Sequence, residues 1–305
     1  MPGSEFMARA DDGQSLLARR WLPEGRVRAI VQIAHGLAEH SARYGRLAAA
    51  LNAKGYGVYA ADLRGHGPKA AAADLGHFAD EGGWSKVVGD LWTLNRRIAS
   101  EQPGTPVVFL GHSLGSFLGR GFIAEHSDGL AGAALSGSSG KPPMIATLGR
   151  AIARAERLRL GKRGKSQVIF QMWFGDFNKR FKPARTAFDW LSRDENEVDA
   201  YVADPLCGFP FTTQLAIDVL DALPRVTSSA SLAKIRKDFP IYVFSGERDP
   251  VGANIKGLIA DLKAAGFTRL TTRIYPGARH ETLNETNRDE VTGDLIAWLD
   301  GVVGK

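Results

Sequence analysis

Short apolar runs alternate with amphipathic helical patterns along most of this 305-residue chain. Strands are predicted at residues 29–34, 57–61, 107–110, 130–135, 240–245 and 270–275. Helical patterns lie between and after them, at residues 41–54, 84–98, 114–126, 255–265 and 289–299. Because strands separated by helices pair in parallel within one sheet, the alternation predicts an α/β fold with a mostly parallel central sheet and helices on both faces.

The alternation stops after Gly140 and resumes near residue 236. The intervening residues 141–235 contain helical stretches, aromatic clusters and loops, and an insertion of about 95 residues is long enough to form a subdomain. We therefore expect a core of residues 7–140 and 236–305 that carries a cap, or lid, of residues 141–235. Residues 1–6 are interpreted as a vector-derived scar ahead of Met7 and are left out of the fold prediction.

Composition excludes several classes of protein. Hydrophobic residues make up 44% of the chain and charged residues 24%, as in soluble globular proteins. No apolar run approaches the roughly 18 residues that a membrane-spanning helix needs. The single cysteine, Cys207, excludes a disulfide framework and a cysteine-based zinc cluster. Since no export leader follows Met7, we expect a cytoplasmic protein, and we expect no metal and no cofactor.

A Gly-x-Ser-x-Gly motif, Gly111-His112-Ser113-Leu114-Gly115, lies between a predicted strand and a predicted helix. By itself the motif is weak, since a chance match is expected roughly 0.2 times in a chain of this composition. Directly between a strand and a helix, however, it predicts the tight turn that exposes a nucleophilic serine. The sequence therefore predicts Ser113 as a nucleophile; the alternative is a glycine-rich turn with a solvent-facing serine.

A serine hydroxyl needs a base that accepts its proton. The chain order nucleophile, acid, histidine leaves His126 and His280 as candidates. His126 would lie about 20 Å from Ser113 along the intervening helix, which excludes it as the base. His280 follows the last predicted strand, at the carboxyl edge of the sheet, and is expected to be the base.

The acid that orients His280 should also follow a strand at the carboxyl edge. Asp249 and Glu247 both follow the predicted strand at residues 240–245. Asp249 is favoured because Gly246 and Pro250 frame a fixed turn around it. Glu247, which is closer to the strand, stays an alternative.

The negative oxygen of a tetrahedral intermediate needs two backbone N–H donors. Leu114 directly follows the nucleophile at the start of a helix, where the helix dipole adds to its donor strength. Leu37 follows the predicted strand at residues 29–34, in the sequence His35-Gly36-Leu37. We expect Leu37 and Leu114 to form the oxyanion hole and His35 to brace the turn.

Five motifs occur in order: HGLAEHSARY at residues 35–44, DLRGHG at 62–67, GHSLG at 111–115, DP at 249–250 and GARHE at 277–281. This set resembles the monoacylglycerol lipase/lysophospholipase-like branch of the α/β-hydrolase superfamily. The resemblance covers about residues 14–140 and 238–300, and in the insertion it is limited to position and to DPLC at 204–207.

The resemblance implies an α/β-hydrolase fold in which Ser113, Asp249 and His280 form a catalytic triad. It also implies that Glu39 and Arg43 lie near the leaving alcohol and that His112 lies beside the nucleophile. For these last three residues, structural roles as helix-cap and turn residues stay open.

The insertion contains a cluster of large apolar side chains at residues 168–181. Apolar pockets with few polar groups are typical of small-ligand sites. We expect Phe170, Trp173 and Phe174 to line a pocket for an acyl chain; the alternative is that the cluster only packs the cap onto the core.

The net charge of +6 is concentrated in the cap, where residues 141–190 hold twelve Lys and Arg against three Asp and Glu. A helix predicted over residues 142–160 places Met144, Ile145, Leu148 and Ile152 on one side, with arginines among the remaining positions. Such a surface can meet anionic lipid, but a merely solvated face is the alternative. No nucleic-acid motif accompanies the charges, so no nucleic-acid partner is expected.

Together these features predict a serine ester hydrolase that cleaves carboxylic esters through an acyl-enzyme intermediate. Its expected substrate is a small lipid ester, a monoacylglycerol or a similar compound. A short-chain carboxylesterase, a lysophospholipase, and a non-enzymatic binding protein on a retired hydrolase fold are the alternatives.

Overall fold

The computed structural model describes residues 3–143 and 146–304. Within them an eight-stranded sheet has the order β1-β2-β4-β3-β5-β6-β7-β8. Strands β3 to β8 pair in parallel, whereas β2 runs antiparallel to both β1 and β4. The strands are β1 Ser4–Arg9, β2 Ser15–Trp21, β3 Ala29–Ala34, β4 Tyr56–Ala61, β5 Val107–His112, β6 Gly132–Ser136, β7 Ile241–Gly246 and β8 Leu270–Tyr275. The predicted α/β fold with a mostly parallel sheet is confirmed.

Helices cover both faces of the sheet. Helices α1 (Gly45–Asn52) and α10 (Arg288–Val303) pack on one face. Helices α2 (Gly83–Glu101), α3 (Leu114–His126) and α9 (Ile255–Ala264) pack on the other. Strands β3 to β7 are buried along their whole length, because helices exclude water from both of their sides.

The edge of the sheet at β1 and β2 differs from the sequence-based expectation. Neither strand was predicted, because Arg19 and Arg20 interrupt the apolar pattern of β2. Residues 4–6, which were left out of the fold prediction, belong to β1, and Ser4 pairs in register with Arg20. Backbone pairing at an edge strand needs no apolar pattern, so composition alone does not reveal it.

The chain between β6 and β7 forms five α-helices in its described residues. They are α4 Ala146–Leu160, α5 Gln167–Phe174, α6 Glu195–Ala203, α7 Thr213–Val226 and α8 Ser229–Ala233. The predicted helix over residues 142–160 corresponds to α4, and Met144 and Ile145 lie outside the described residues. The division into a core and a cap at residues 141–235 stays a prediction.

Backbone hydrogen bonds fasten this inserted segment to the loops at the carboxyl edge of the sheet. Gly208 N–H donates to Ala38 O over 2.9 Å. Glu281 N–H donates to Leu191 O over 2.8 Å, on the other side of the same edge. The inserted segment is therefore attached to the loops that follow β3 and β8. None of the described helices combines the length and the hydropathy needed to cross a membrane.

Candidate active site

Ser113 occupies the sharp turn between β5 and α3. Its backbone has φ 50° and ψ −120°, a region that residues other than glycine rarely adopt. A conformation of this kind costs on the order of 1–3 kcal/mol and persists only where neighbouring contacts impose it. Here Ser113 N–H donates to Ser136 O over 2.9 Å, and Ser116 Oγ donates to Ser113 O over 2.6 Å. The turn therefore holds the Ser113 side chain partly exposed at the sheet edge.

Both glycines of the motif are needed for this turn, because a side chain at either position would clash with the backbone. A Cβ atom added at Gly115 would lie 2.1 Å from Ala34 O, and one added at Gly111 would lie 2.4 Å from Gly115 O. Both contacts are with backbone atoms, which cannot move aside. The start of α3 therefore packs directly on the end of β3.

His280 and Asp249 lie in contact beside this turn. His280 Nδ1 is 2.8 Å from Asp249 Oδ1, and each residue is only 2% exposed. Ser245 Oγ donates to Asp249 Oδ2 over 2.7 Å, and Val251 N–H donates to Asp249 Oδ1 over 2.8 Å. Asp249 is thus fixed by three donors, and the structure brings Asp249 to the predicted base.

Glu247, the alternative acid, lies elsewhere. Its Oε2 accepts a hydrogen bond from Gly277 N–H over 2.9 Å, and its side chain is exposed at the surface. Asp249 therefore points inward to His280, whereas Glu247 points outward.

Burial and charge act on His280 in opposite directions. Burial lowers the pKa of an imidazole, but the Asp249 carboxylate and its hydrogen bond outweigh this effect and raise the pKa of His280 above its ordinary value. Burial likewise raises the pKa of Asp249. The charge of His280 and the hydrogen bonds from His280 and Ser245 outweigh burial and lower the pKa of Asp249 below its ordinary value. The pair therefore favours a charged imidazole next to a charged carboxylate.

Three further residues enclose the His280 ring. The ring centroids of His112 and Trp190 lie 4.7 Å and 5.1 Å from it. Burial, followed by the charge of His280, lowers the pKa of His112 to about 4, so His112 is neutral near pH 7. Gly137 has φ +58°, and an added Cβ there would lie 2.8 Å from His280 Cε1.

The predicted oxyanion residues lie next to Ser113. A Cβ atom added at Gly36 would lie 3.2 Å from Ser113 Cβ, which places the loop after β3 against the serine. Leu37 and Leu114 line the same cavity as Ser113. In the described residues, neither Leu37 N–H nor Leu114 N–H is paired with a protein acceptor. Both donors are therefore available to a ligand.

Arg43 connects two buried carboxylates behind this loop. Its Nη1 lies 2.8 Å from Glu39 Oε2, and its Nη1 and Nη2 lie 2.6 Å and 2.7 Å from the two oxygens of Glu281. Burial raises the pKa of a carboxyl group, but the Arg43 guanidinium outweighs it, lowering the pKa of Glu281 to about 2 and the pKa of Glu39 below its usual range. Both carboxylates are therefore ionised near pH 7.

These contacts separate the roles predicted for Glu39 and Arg43. Glu39 lines the main cavity, and its Oε1 accepts from Gly36 N–H over 2.5 Å. Arg43 lines a separate space of about 20 Å³, together with Tyr44 and Asn284. Arg43 therefore pairs with Glu39 and Glu281. Its expected position near the leaving alcohol stays a prediction.

A cavity of about 370 Å³ opens onto Ser113. Its polar groups lie at the serine end, where Glu39, His112, His280 and Glu281 contribute to the wall. Eight of its other lining residues are phenylalanine or tryptophan: Phe117, Phe170, Trp173, Phe174, Phe177, Phe188, Trp190 and Phe209. The structure thus brings Phe170, Trp173 and Phe174 to the cavity. These side chains also pack against the core. The binding of an acyl chain by them stays a prediction.

One group of side chains has the composition of a metal site. His40, Asp204 and Cys207 place ligand atoms within 4.8 Å of one another, and His40 Nε2 lies 2.8 Å from Asp204 Oδ2. Burial raises the pKa of the Cys207 thiol well above its ordinary value. A protonated thiol is a poor metal ligand, and the imidazole already pairs with the carboxylate.

Sequence reasoning did not find Trp190 or Glu281 as site residues. Trp190 lies in an irregular stretch where no periodic pattern indicates its position. Glu281 directly follows His280, and that adjacency was the available signal. Its partner Arg43 is 238 residues away in sequence, so their pairing is a property of the fold.

Known proteins with similar sequences are named as hydrolases. A family model described as serine aminopeptidase, S33, matches residues 25–287. A monoacylglycerol lipase of Mycolicibacterium smegmatis is 30% identical over 92% of this chain and 90% of that protein. The human monoglyceride lipase is 30% identical over 93% of this chain and 85% of that protein.

Solved structures show the same relationship. A thermostable carboxyl esterase from Bacillus coagulans, solved in complex with glycerol, has a TM-score of 0.90 and 30% identity over 99% of both chains. These similarities extend over nearly the whole chain, including the inserted segment. The chain belongs to the hydrolase family described as serine aminopeptidase, S33, and it is an ester hydrolase of the monoacylglycerol lipase-like branch of the α/β-hydrolases.

Proposed function

We propose that Ser113 is the nucleophile of this ester hydrolase and that His280 and Asp249 activate it. Because Nδ1 of His280 faces Asp249, Nε2 is the nitrogen that can accept the Ser113 proton. Ser113 Oγ attacks the ester carbonyl carbon, and the resulting oxyanion accepts hydrogen bonds from Leu37 N–H and Leu114 N–H. His280 then gives the proton to the departing alcohol, and a water molecule activated by His280 releases the acid.

The observation that carries this proposal is the joint placement of three groups. The strained turn presents Ser113 to the cavity, the buried His280–Asp249 pair lies at the same wall, and two backbone donors without protein partners adjoin the serine. Oxyanion stabilisation of this kind is a large contribution to catalysis in ester hydrolysis.

We further propose that the substrate is a lipid ester with one acyl chain, a monoacylglycerol being the favoured case. The aromatic walls of the 370 Å³ cavity suit an acyl chain, and the polar groups at the serine end suit the hydroxyl groups of glycerol. The names of the two lipase relatives and the glycerol complex of the Bacillus coagulans esterase support this choice.

The acyl-length profile tests the substrate proposal. Hydrolysis rates should be compared for p-nitrophenyl esters of two to sixteen carbons, for monoacylglycerols and for a lysophospholipid. A maximum at medium or long chains, with monoacylglycerol preferred over lysophospholipid, is expected. A maximum at two to four carbons would instead indicate a short-chain carboxylesterase. Trp173→Ala should alter the profile, whereas Trp92→Ala should not, because Trp92 stacks on His126 outside the cavity.

We also propose that α4 and α5 contact lipid surfaces. Four apolar side chains on these helices are exposed: Leu148 and Leu158 on α4, and Val168 and Met172 on α5. The two helices touch near Gly149, where an added Cβ would lie 3.4 Å from Met172 Sδ. The exposed apolar side chains can therefore act together, in addition to the basic residues of α4.

Many of the basic residues in this segment have acidic partners. Arg154 pairs with Asp221 over 3.3 Å, and Lys162 pairs with Glu81 over 3.3 Å. Cations that are already paired attract anionic lipid less strongly. The proposed contact consequently depends on the apolar side chains as well as on the charge.

Co-sedimentation with vesicles containing an anionic phospholipid tests this contact. The double variant Leu148→Glu/Met172→Glu should bind less than the wild type at low salt. Val202→Glu is the matched control, because Val202 is similarly exposed but lies on α6. Absence of wild-type binding at low salt would contradict the contact. The cytoplasmic location expected from the sequence stays a prediction.

A further inference from the structure

His35 has both ring nitrogens engaged at the end of β3. Its Nδ1 lies 2.8 Å from Gly36 O, and Leu63 N–H points to its Nε2 over 2.9 Å. The residue is 1% exposed, so water does not compete for either contact. Two backbone groups of opposite polarity therefore hold one imidazole ring.

These two contacts determine the tautomer of His35. A backbone N–H can only donate, so Nε2 must present its lone pair to Leu63. The ring proton then resides on Nδ1 and donates to the Gly36 carbonyl. Burial lowers the pKa of His35, which agrees with a neutral ring.

The Gly36 carbonyl in turn sets the direction of the next N–H group. In a planar trans peptide, the C=O of one residue and the N–H of the next point in opposite directions. Since Gly36 O points to His35, Leu37 N–H points away from His35. Gly36 itself lies against Ser113, so this direction matters at the serine.

Other contacts hold the rest of the loop. Glu39 Oε1 accepts from Gly36 N–H over 2.5 Å, and Ala38 O accepts from Tyr201 Oη over 2.8 Å. Ala38 has φ 54°, an unfavourable conformation for alanine that these contacts maintain. The Gly36–Leu37 peptide is thus the part of the loop whose orientation depends on His35.

We propose that His35 is a positioning residue for the oxyanion hole: its Nδ1–H fixes the Gly36–Leu37 peptide so that Leu37 N–H faces the oxygen of the reacting ester. The proposal rests on the proposed hydrolytic function and adds a residue that does not touch the substrate. It assigns the two nitrogens different tasks, with Nδ1 orienting the peptide and Nε2 selecting the tautomer.

Two variants separate these tasks. His35→Asn places an amide group near the position of Nδ1 and can keep the donor to Gly36, but it cannot reach Leu63. His35→Gln places its amide near the position of Nε2 and can keep the acceptor for Leu63, but it loses the donor to Gly36. If the donor to Gly36 is what matters for catalysis, Asn should preserve activity better than Gln.

Steady-state kinetics and inhibitor binding provide the readouts. Removal of an oxyanion donor lowers kcat by about 10²–10³-fold, so we expect His35→Gln to lose a part of this, roughly tenfold or more, with little change in KM. His35→Asn should keep kcat within a few-fold of the wild type. A trifluoromethyl ketone forms a tetrahedral adduct, and its affinity for His35→Gln should fall by about the same factor as kcat. The affinity of a fatty acid product should be the same for His35→Gln and the wild type.

Equal kcat losses in the two variants, or a loss of kcat without a loss of affinity for the ketone, would overturn the proposal. If the wild type hydrolyses no ester, the proposed function fails and the role of His35 fails with it. An active wild type with equal losses overturns the role of His35 alone.

A measurement on the wild type covers the case in which both variants misfold. Nitrogen-15 NMR of the histidine rings distinguishes a proton on Nδ1 from a proton on Nε2. We expect His35 to be neutral near pH 7 with its proton on Nδ1. A proton on Nε2 would overturn the proposal, because the ring could then not donate to Gly36.

Discussion

His280 Nδ1 lies 2.8 Å from Asp249 Oδ1, and the contact is almost completely shielded from water. Removing one partner of a buried ion pair strongly destabilises a folded protein, because the other charge is left uncompensated. In this molecule the pair also determines which nitrogen of His280 faces the cavity. The same contact therefore bears on stability and on the proposed chemistry.

Asp249→Asn should lower kcat by about 10⁴-fold while keeping the fold, because an amide in this place favours the wrong tautomer of the histidine. Glu247→Gln is the matched control, since Glu247 is close in sequence but binds Gly277 N–H. Kinetics with a p-nitrophenyl ester and circular dichroism would measure both effects. Similar losses for the two variants would contradict the assignment of Asp249.

The pH dependence of kcat/KM should report the raised pKa of His280. The base must be neutral, so kcat/KM should fall as the pH decreases through a value above the ordinary 6.5 of histidine. In Asp249→Asn burial dominates, and the midpoint should move to lower pH. An unchanged midpoint would show that Asp249 does not act on His280.

His280 should contribute more to the free energy of unfolding at low pH than at high pH, whereas kcat/KM should fall at low pH. A raised folded-state pKa contributes stability that is fully present below the unfolded value of 6.5 and is lost as the pH rises through the folded value. Denaturant unfolding of the wild type and of His280→Gln across pH 5–9 tests this. The advantage of the wild type over His280→Gln in free energy of unfolding should decrease as the pH rises. A difference that does not vary with pH would contradict the raised pKa of His280.

Gly115→Ala should abolish activity and strongly destabilise the protein, because the added Cβ would lie 2.1 Å from the Ala34 backbone oxygen. Gly293→Ala, in α10, is the matched control. No atom lies within 4 Å of a Cβ added there, and replacing an exposed helical glycine stabilises by roughly 0.5–1 kcal/mol. Thermal unfolding would distinguish them, and a stable Gly115→Ala protein would contradict the close packing of α3 on β3.

Arg43→Met should destabilise the protein by about 3–5 kcal/mol near pH 7, because two buried carboxylates lose their cation. Arg46→Met should cost less than about 1 kcal/mol, since Arg46 pairs with Glu197 at the surface. The measurement is denaturant unfolding.

The loss in free energy of unfolding caused by Arg43→Met should also become smaller as the pH is lowered. The lowered pKa values of Glu39 and Glu281 contribute stability above their ordinary pKa of 4.5, which is lost as the pH falls through the folded values, near 2 for Glu281. Wild type and variant should therefore differ less at pH 4 than at pH 7. A difference that grows toward pH 4 would contradict the account.

The sequence predicted the parts of the fold that follow from local patterns. Strands β3 to β7 read as apolar runs because they are buried on both sides, and the Ser113 motif was meaningful because a strand and a helix flank it. Strand β2 escaped prediction because Arg19 interrupts its pattern. Arg19 is buried, and Ser41, Asp62 and Glu5, none of them its neighbour in sequence, accept its hydrogen bonds.

The candidate site likewise contains residues that local sequence patterns indicate and residues whose positions depend on tertiary contacts. Ser113, His280 and Asp249 follow from chain order and strand ends, which sequence displays. Trp190, which packs on His280, comes from an irregular stretch whose position depends on tertiary contacts. The position of Arg43 away from the main cavity depends likewise on its pairing with Glu281.

Labelling with a fluorophosphonate tests the central claim most directly, because this reagent reacts with an activated serine. We expect the wild type to be labelled at one site, identified as Ser113 by mass spectrometry of the modified peptide, and Ser113→Ala to remain unlabelled. Ser100→Ala, which changes an exposed serine on α2, is the control and should still be labelled. Labelling that persists in Ser113→Ala, or a wild-type adduct on another residue, would contradict the account.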